Sequence, residues 1–245
     1  MSIWTCKRVV AAPFAALLLT GCLAIPETGA APRLGLSRTA PKTVSVARGD
    51  VVIGGPPGYC IDRGGSRLRG ETAFVLLASC ASITQNPEAG SPGSPAILTA
   101  SVAEQSNAAS ATEAALDQLE RFITSSGGRA TLARDGQPGS VEILQTHRES
   151  RAVLIRLRDS STNPAPGLEQ TYWRGFFDMN GRLLTISVKS FENYPISAGA
   201  GLATLRGFLA RIRSETSARN VASATKVLPR VLPRPGKRLF PGLFN

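Results

Sequence analysis

The dipeptide Asn180-Gly181 constrains the fold of this chain more than any other local feature. Asn-Gly between two alternating runs favours a two-residue type I′ hairpin turn, because both residues accept a positive φ. The turn sets the strand register and predicts facing pairs on one apolar face: Phe177 with Leu184, Gly175 with Ile186, and Trp173 with Val188. The opposite face is predicted to be partly in contact with water, and it carries Tyr172, Arg174, Phe176, Thr185 and Lys189.

Further strands are predicted on the N-terminal side of this hairpin, from alternation and from continuous apolar runs. The run 73–81 contains Cys80 and is apolar throughout, which is typical of a strand buried on both faces. The segment 63–71 is polar and contains glycine, so it predicts a connection. The other predicted strands are 43–53, 96–102, 141–147 and 152–158.

Two amphipathic helices are also predicted. Ser110 and Glu113 have the S/T-x-x-E spacing of a capping box, so the first helix should begin at Ser110. Gly127-Gly128 should end it, since glycine accepts the left-handed conformation that follows a helix. Its predicted buried stripe is Ala115, Leu116, Leu119, Phe122 and Ile123. The second helix is predicted over about 199–214, with Leu202, Leu205, Leu209 and Ile212 facing inward.

These elements together predict an α+β domain. Short connections make neighbouring strands antiparallel, and each amphipathic helix needs a sheet on which to bury its apolar stripe. We therefore expect a mostly antiparallel sheet of about six to seven strands flanked by two helices, with an N-terminal signal and tether and a basic C-terminal tail.

The N-terminus has the three parts of an export signal: Lys7-Arg8, an apolar run from Val9 to Leu19, and the small residue Gly21. The run is too short to cross a bilayer as a helix, which takes roughly 20 residues. Leu19-Thr20-Gly21-Cys22 resembles the lipobox of bacterial lipoproteins, which implies cleavage before Cys22 and a diacylglycerol on its sulfur. An ordinary secretory signal with Cys22 as an incidental thiol is the alternative.

The resemblance to lipoproteins implies a division of the chain into segments and a cellular location. The predicted segments are a signal peptide over 1–21, a flexible tether over 22–42, a periplasmic α+β domain over 43–216 and a basic proline-rich tail over 217–245. Leu23 is not the aspartate associated with retention at the inner membrane, so a periplasm-facing position on the outer membrane is favoured.

Two cysteines remain once Cys6 leaves with the signal and Cys22 takes the lipid. In an oxidising periplasm, Cys60 and Cys80 are expected to form a disulfide. Two buried reduced cysteines are the alternative, and a metal site lacks further histidine or cysteine ligands.

The chain of 245 residues has a formal net charge of +11. This charge suits contact with anionic lipid, lipopolysaccharide or nucleic acid, and of these nucleic acid is the least expected partner for an exported protein, so none is predicted. The tail contains no acidic residue. Its six basic residues are Arg219, Lys226, Arg230, Arg234, Lys237 and Arg238. It is predicted to be either a solvated disordered segment or an adhesive segment that contacts an anionic surface.

The sequence offers no catalytic or cofactor-binding motif, so no catalytic residue, metal ligand or cofactor is predicted. The single histidine, His147, is interpreted as a residue of a strand end. Tyr172, Arg174 and Lys189 on the wetter face of the hairpin form a candidate anion-binding face, with an ordinary solvated face as the alternative.

The segment Tyr172 to Phe177, followed by Asn180-Gly181-Arg182 and a terminal helix, resembles the PsbP-like fold, which is named after an extrinsic subunit of photosystem II. The chain from about 51 to 214 is also similar to uncharacterised lipoproteins of alphaproteobacteria. The segments that carry this likeness are Gly58 to Asp62, Phe74 to Cys80 and the Tyr172-Trp173-Arg174 hairpin. These resemblances imply an architecture and an address but no reaction.

The expected function is that of a lipid-anchored periplasmic protein with a non-enzymatic binding or envelope-assembly role. Its expected partners are the membrane, an anionic lipid or lipopolysaccharide through the tail, and an envelope protein. A periplasmic hydrolase or transferase whose site residues meet only in the folded chain is the alternative.

Overall fold

A computed structural model describes residues 40–105, 112–149, 151–161 and 166–227. Cys22, the predicted signal, most of the predicted tether, Ser110 and the tail beyond residue 227 lie outside these ranges. The strands are β1 (Thr43–Val46), β2 (Val51–Gly54), β3 (Tyr59–Arg69), β4 (Thr72–Ser79), β5 (Ala96–Gln105), β6 (Val141–Glu149), β7 (Ala152–Asp159), β8 (Thr171–Met179) and β9 (Arg182–Ser190). The helices are α1 (Cys80–Thr84), α2 (Glu113–Thr124), α3 (Ser126–Leu132) and α4 (Ala198–Val227).

The protein is an α+β domain, as predicted, built on a seven-stranded sheet with the order β3-β4-β5-β9-β8-β7-β6. Every neighbouring pair in this sheet is antiparallel. The hairpin of β8 and β9 has the predicted register, since Trp173, Gly175 and Phe177 face Val188, Ile186 and Leu184. Asn180 and Gly181 have φ values of 55° and 75°, which confirms the prediction that both turn residues take positive φ.

One face of the sheet is covered by α4. Leu205, Leu209 and Ile212 are buried there as predicted, and Phe208 on the same stripe is also fully buried. The predicted inward residue Leu202 is partly buried. The start of α4 is fixed by Trp173, whose indole Nε1 donates a 3.0 Å hydrogen bond to the carbonyl of Ala198.

The helix α4 is 30 residues long and continues well beyond the predicted end at Ser214. No glycine or proline interrupts the chain between Ser214 and Val227, so nothing local ends the helix there. Thr216 is buried, and its hydroxyl oxygen accepts a 3.0 Å hydrogen bond from the Val52 amide. Residues 217–225 after it are exposed.

The opposite face of the sheet is covered by two helices, α2 and α3, and here the sequence predictions need correction. Thr112 caps α2 by accepting a 3.2 Å hydrogen bond from the amide of Ala115. Leu116 and Ile123 are buried, but Phe122 is 51% exposed and does not belong to the buried stripe.

Gly127-Gly128 does not end a helix in the left-handed conformation as predicted but lies inside α3. Ser125, the residue before α3, caps that helix by accepting a 3.1 Å hydrogen bond from the Gly128 amide. A Cβ atom on Gly128 would stand 1.9 Å from the carbonyl oxygen of Phe122. Glycine is therefore required there for the close approach of α3 to α2, and positive φ is not the reason.

Three predictions for the N-terminal part of the domain are wrong in detail. The run 43–53 is not one strand, because positive φ at Ala47, Arg48 and Gly49 folds it into the hairpin of β1 and β2. The predicted connection 63–71 belongs largely to β3, whose pairing with β4 shifts register between Asp62 and Arg67.

The run 73–81 is not buried on both faces. Along β4, Val75 and Leu77 are buried while Phe74 and Leu76 on the other face are half-buried. Cys80 is not a strand residue either, because Ser79 ends β4 and caps α1, with its hydroxyl accepting a 3.5 Å hydrogen bond from the Ser82 amide.

Candidate functional site

A cleft lies on the sheet face that α2 and α3 cover only in part. The two helices bury residues of β6, β7 and β8, whereas the neighbouring surface of β9, β5 and β4 stays partly open. Strand register places Leu76, Thr99, Ser187 and Arg174 in one row across β4, β5, β9 and β8. All four of these residues line the cleft, whose volume is about 520 Å³.

The three residues of the predicted anion-binding face meet in this cleft. The Lys189 Nζ lies 3.7 Å from the centroid of the Tyr172 ring, and the Arg174 guanidinium carbon lies 5.2 Å from the same centroid. Arg174 also donates a 3.2 Å hydrogen bond from Nε to the Ser187 hydroxyl. Two cations are thus held over one aromatic ring, an arrangement that stabilises their charge through the ring quadrupole.

The prediction that this face is wet is wrong for two residues. Tyr172 and Phe176 are only 3% and 7% exposed, because the cluster of apolar residues beneath α2 and α3 covers them. Arg174, Thr185 and Lys189 remain partly exposed as predicted. Tyr172 therefore lies at the edge of this apolar cluster, and its ring contacts the two cations.

Burial is the main influence on the two titratable side chains of this trio. The pKa of Lys189 is lowered to about 8, mainly by burial and to a smaller extent by Arg134 and Arg174, while Asp159 opposes this shift. Burial also raises the pKa of the Tyr172 hydroxyl, against the effect of Arg174. The Lys189 ammonium is thus incompletely solvated and would gain from an anionic partner.

Asp159 and Arg134 line the same cleft, and sequence reasoning missed both. Asp159 is 9% exposed, and its Oδ1 accepts hydrogen bonds from the amide of Ser161, at 3.1 Å, and from the Ser161 hydroxyl. The hydroxyl oxygen of Ser161 accepts a 3.1 Å hydrogen bond from the backbone amide of Arg134. These bonds join the end of β7 to the chain after α3, a non-local contact that left no signal in the sequence.

The side of the cleft away from the cations is apolar. Phe74 and Leu76 line it from β4, Ile97 on β5 borders it opposite Lys189, and all three are half-buried. The sequence did not reveal this wall, because β4 is apolar at every position from 73 to 78 and therefore looked buried on both faces.

The predicted disulfide is present and joins the first turn of α1 to the start of β3. The Cα atoms of Cys60 and Cys80 are 4.8 Å apart, and the two residues are 3% and 2% exposed. His147, interpreted from the sequence as a strand-end residue, lies near the end of β6 with its ring centroid 5.5 Å from that of Trp173.

The described residues lack both a metal-binding cluster and a membrane-spanning helix. They contain no group of three or more His, Cys, Asp or Glu side chains that could hold a metal ion. Within the same ranges, no helix combines the length and the apolar character needed to cross a bilayer. Cys22 and the basic residues from 230 onward lie outside these ranges. The chain matches no protein-family model, no curated protein and no solved structure.

Proposed function

We propose that this protein binds an anionic ligand in the cleft and has no catalytic role. The observation that carries the proposal is the placement of Lys189 and Arg174 over the Tyr172 ring in a partly buried cleft. An anion would replace the hydration that Lys189 loses there, and the apolar surroundings would strengthen the attraction.

We also propose the cellular location and the architecture expected from the sequence. The protein would be anchored through a lipid on Cys22 to the outer membrane, with a PsbP-like domain facing the periplasm. The lipobox resemblance and the oxidising compartment suggested by the Cys60–Cys80 disulfide support this address. The antiparallel sheet and the closing helix α4 support the architecture.

Titration calorimetry with sulfate tests anion binding, because the charge of sulfate is constant between pH 6 and pH 10. Sulfate should bind at pH 6.5 and at least several-fold more weakly at pH 9.5, since Lys189 loses its proton, and with it a positive charge of the cleft, near pH 8. Lys189→Met should weaken binding at pH 6.5 and remove most of the pH dependence. Binding that is unchanged in Lys189→Met and in Arg174→Met would rule out the cleft.

A hydrolase or transferase is the second candidate, and the low pKa of Lys189 favours it. An amine that is partly neutral near pH 8 can act as a nucleophile or a general base. Lys189→Arg separates the two candidates, because arginine keeps the positive charge but does not release its proton. Anion binding that survives this substitution supports the binding role, whereas turnover of an ester or phosphoester that is lost with it would support the enzyme.

The proposed lipid anchor and outer-membrane location are tested by replacing Cys22 with serine. The wild-type chain should be processed and recovered with the outer membrane, whereas Cys22→Ser should accumulate as a larger, unprocessed precursor. Recovery of both forms at one mass in the outer-membrane fraction would contradict the lipid anchor.

A further inference from the structure

The two ends of the cleft differ in chemistry. Arg174 and Lys189 lie on β8 and β9, while Phe74 and Leu76 lie on β4, two strands away from β9. Neighbouring strands are about 4.8 Å apart, so the row from Arg174 to Leu76 spans roughly 14 Å. Ile97 on β5 is directly opposite Lys189, which places the boundary between the charged and the apolar surface at the β5–β9 pair.

The apolar surface is not explained by the packing of the described part of the domain. The apolar side chains of Phe74, Leu76 and Ile97 are half-buried although they belong to central strands of the sheet. Among the described helices, α2 and α3 bury β7 and β8 and leave these three residues at the open end of the cleft. A small inorganic anion would occupy the cationic end and leave this apolar wall in water.

The size of the cleft limits the class of ligand. Its volume of about 520 Å³ lies within the range of small-molecule sites. A stable protein interface needs about 800 Å² from each partner, which exceeds what a cleft of this kind provides. A ligand that pairs with the cations and also covers the apolar wall must have an anionic group and a hydrocarbon part.

We infer that the cleft binds a single-chain anionic amphiphile, with its head group at Lys189 and Arg174 and its hydrocarbon chain along Ile97, Leu76 and Phe74. This inference rests on the proposed anion-binding function and specifies its ligand. A carboxylate and a phosphate monoester share the required chemistry, so a fatty acid and an alkyl phosphate are both members of the class.

The charges around the head-group position agree with this orientation. Arg134, Arg174 and Lys189 contribute three positive charges to the lining of the cleft, and Asp159 contributes one negative charge. The Asp159 carboxylate is buried and accepts two hydrogen bonds from Ser161, so its charge is partly compensated. An anionic head group therefore meets an excess of positive charge at this end.

The test is calorimetry of the full chain carrying Cys22→Ser, in buffer without detergent, at pH 6.5. The probes are octanoate, decanoate and dodecanoate below their critical micelle concentrations, the matching alkyl phosphates, decanol and acetate. Each methylene that becomes buried raises the association constant about fourfold, so affinity should rise with chain length at a constant head group. Decanol should bind at least tenfold more weakly than decanoate, because it carries no charge.

A matched pair of substitutions locates the binding site. Leu76→Asn should reduce the gain in affinity per methylene, whereas Val221→Asn should not, since Val221 is a 68% exposed apolar residue on α4 outside the cleft. Lys189→Met should weaken every anionic probe. If Leu76→Asn does not fold, Ile97→Thr provides the same test, because threonine has a high propensity for strands.

The outcomes separate this inference from the proposed function. Acetate and dodecanoate that bind equally tightly, both weakened by Lys189→Met, would overturn the amphiphile and leave the anion site standing. Equal losses in Leu76→Asn and Val221→Asn, or equal affinity for decanol and decanoate, would also overturn it. If the affinity for every anionic probe is unchanged in Lys189→Met and in Arg174→Met, both the proposed anion-binding function and this inference are wrong. The tighter series, carboxylate or phosphate, identifies the head group, and either result supports the inference.

Discussion

Lys189 illustrates a conflict between stability and binding at a single residue. Its pKa of about 8 means that the folded state disfavours the charged form, relative to the ordinary value of 10.5. The unfolded chain therefore binds more protons at this site between these two values, and the free energy of unfolding should rise with pH across that range. Below pH 8 the full cost of the buried ammonium is present.

Lys189→Met is accordingly expected to stabilise the domain while weakening its binding of anions. At pH 7 the free energy of unfolding should increase by about 1 kcal/mol, and this gain should be lost as the pH rises from 8 towards 10.5. Urea unfolding at pH 7 and pH 10.5 measures the difference. A variant that is less stable than wild type at pH 7 would contradict this account of Lys189.

Two glycines with positive φ provide a second prediction at the scale of the residue. Gly58 has φ +85°, and a Cβ atom there would lie 2.4 Å from the amide nitrogen of Pro92. Gly70 has φ +54° and open space around it. Gly70→Ala should cost about 1 kcal/mol through backbone strain alone, whereas Gly58→Ala should cost at least about 3 kcal/mol. Thermal unfolding of both variants tests the difference, and equal losses would show that the close approach to Pro92 is unimportant.

Some features of single residues could be predicted from the sequence, and others could not. The register of Trp173, Gly175 and Phe177 was predictable because a two-residue turn fixes it locally. The burial of Tyr172 was not, because α2 and α3, which cover it, are separated from it in the chain. The burial of Arg182 was not predictable either, since it is 2% exposed and forms ion pairs with Asp50 and Glu71, more than a hundred residues away.

At the scale of elements, two of the misplaced boundaries share a cause. Ser79 and Ser125 both cap helices that follow directly on another element, so neither junction contains a loop that the sequence could mark. The helix α4 was predicted too short because its last turns lack an apolar stripe, while a single buried hydroxyl at Thr216 continues its packing. The candidate site was predicted only on β8 and β9, since the apolar wall comes from strands that pair across long separations.

The disulfide gives a prediction for the connection between β3 and α1. It closes a loop with a sequence separation of 20 residues, and removing it through Cys60→Ser and Cys80→Ser together should cost about 3 kcal/mol. Chemical denaturation of the double variant measures the loss. The unreduced wild-type protein should be two hydrogens lighter than the reduced form in mass spectrometry, and free thiols in protein isolated from cells without reductant would contradict the bond in the cell.

At the scale of the whole molecule, the two ends of the described domain lie side by side. The Arg219 guanidinium donates a 2.8 Å hydrogen bond to the hydroxyl of Ser45, which connects the exposed turns of α4 to β1. The predicted tether ends just before β1, and the predicted tail begins at residue 217. A membrane anchor at Cys22 would therefore raise the effective concentration of the tail at the same surface.

The tail is expected to bind anionic membranes. Deleting residues 228–245 removes Arg230, Arg234, Lys237 and Arg238, each of which contributes about 1 kcal/mol near an anionic surface. With Cys22→Ser to exclude the lipid, the full chain should sediment with anionic vesicles at low salt and be released at high salt, and the truncated chain should bind much less. Neutral vesicles are the control. Equal binding by both chains to the anionic vesicles would identify the tail as a solvated segment.

The hydrogen bond between Val52 and Thr216 spans 164 residues and has a consequence for the order in which the domain forms. A chain synthesised from its N-terminus presents β1 and β2 first, but the helix against which β2 packs is made last. The entropy of closing so long a loop opposes early pairing, so the first strands stay exposed while the central sheet assembles. The region that emerges first is thus among the last to become protected, and its docking under α4 completes the fold.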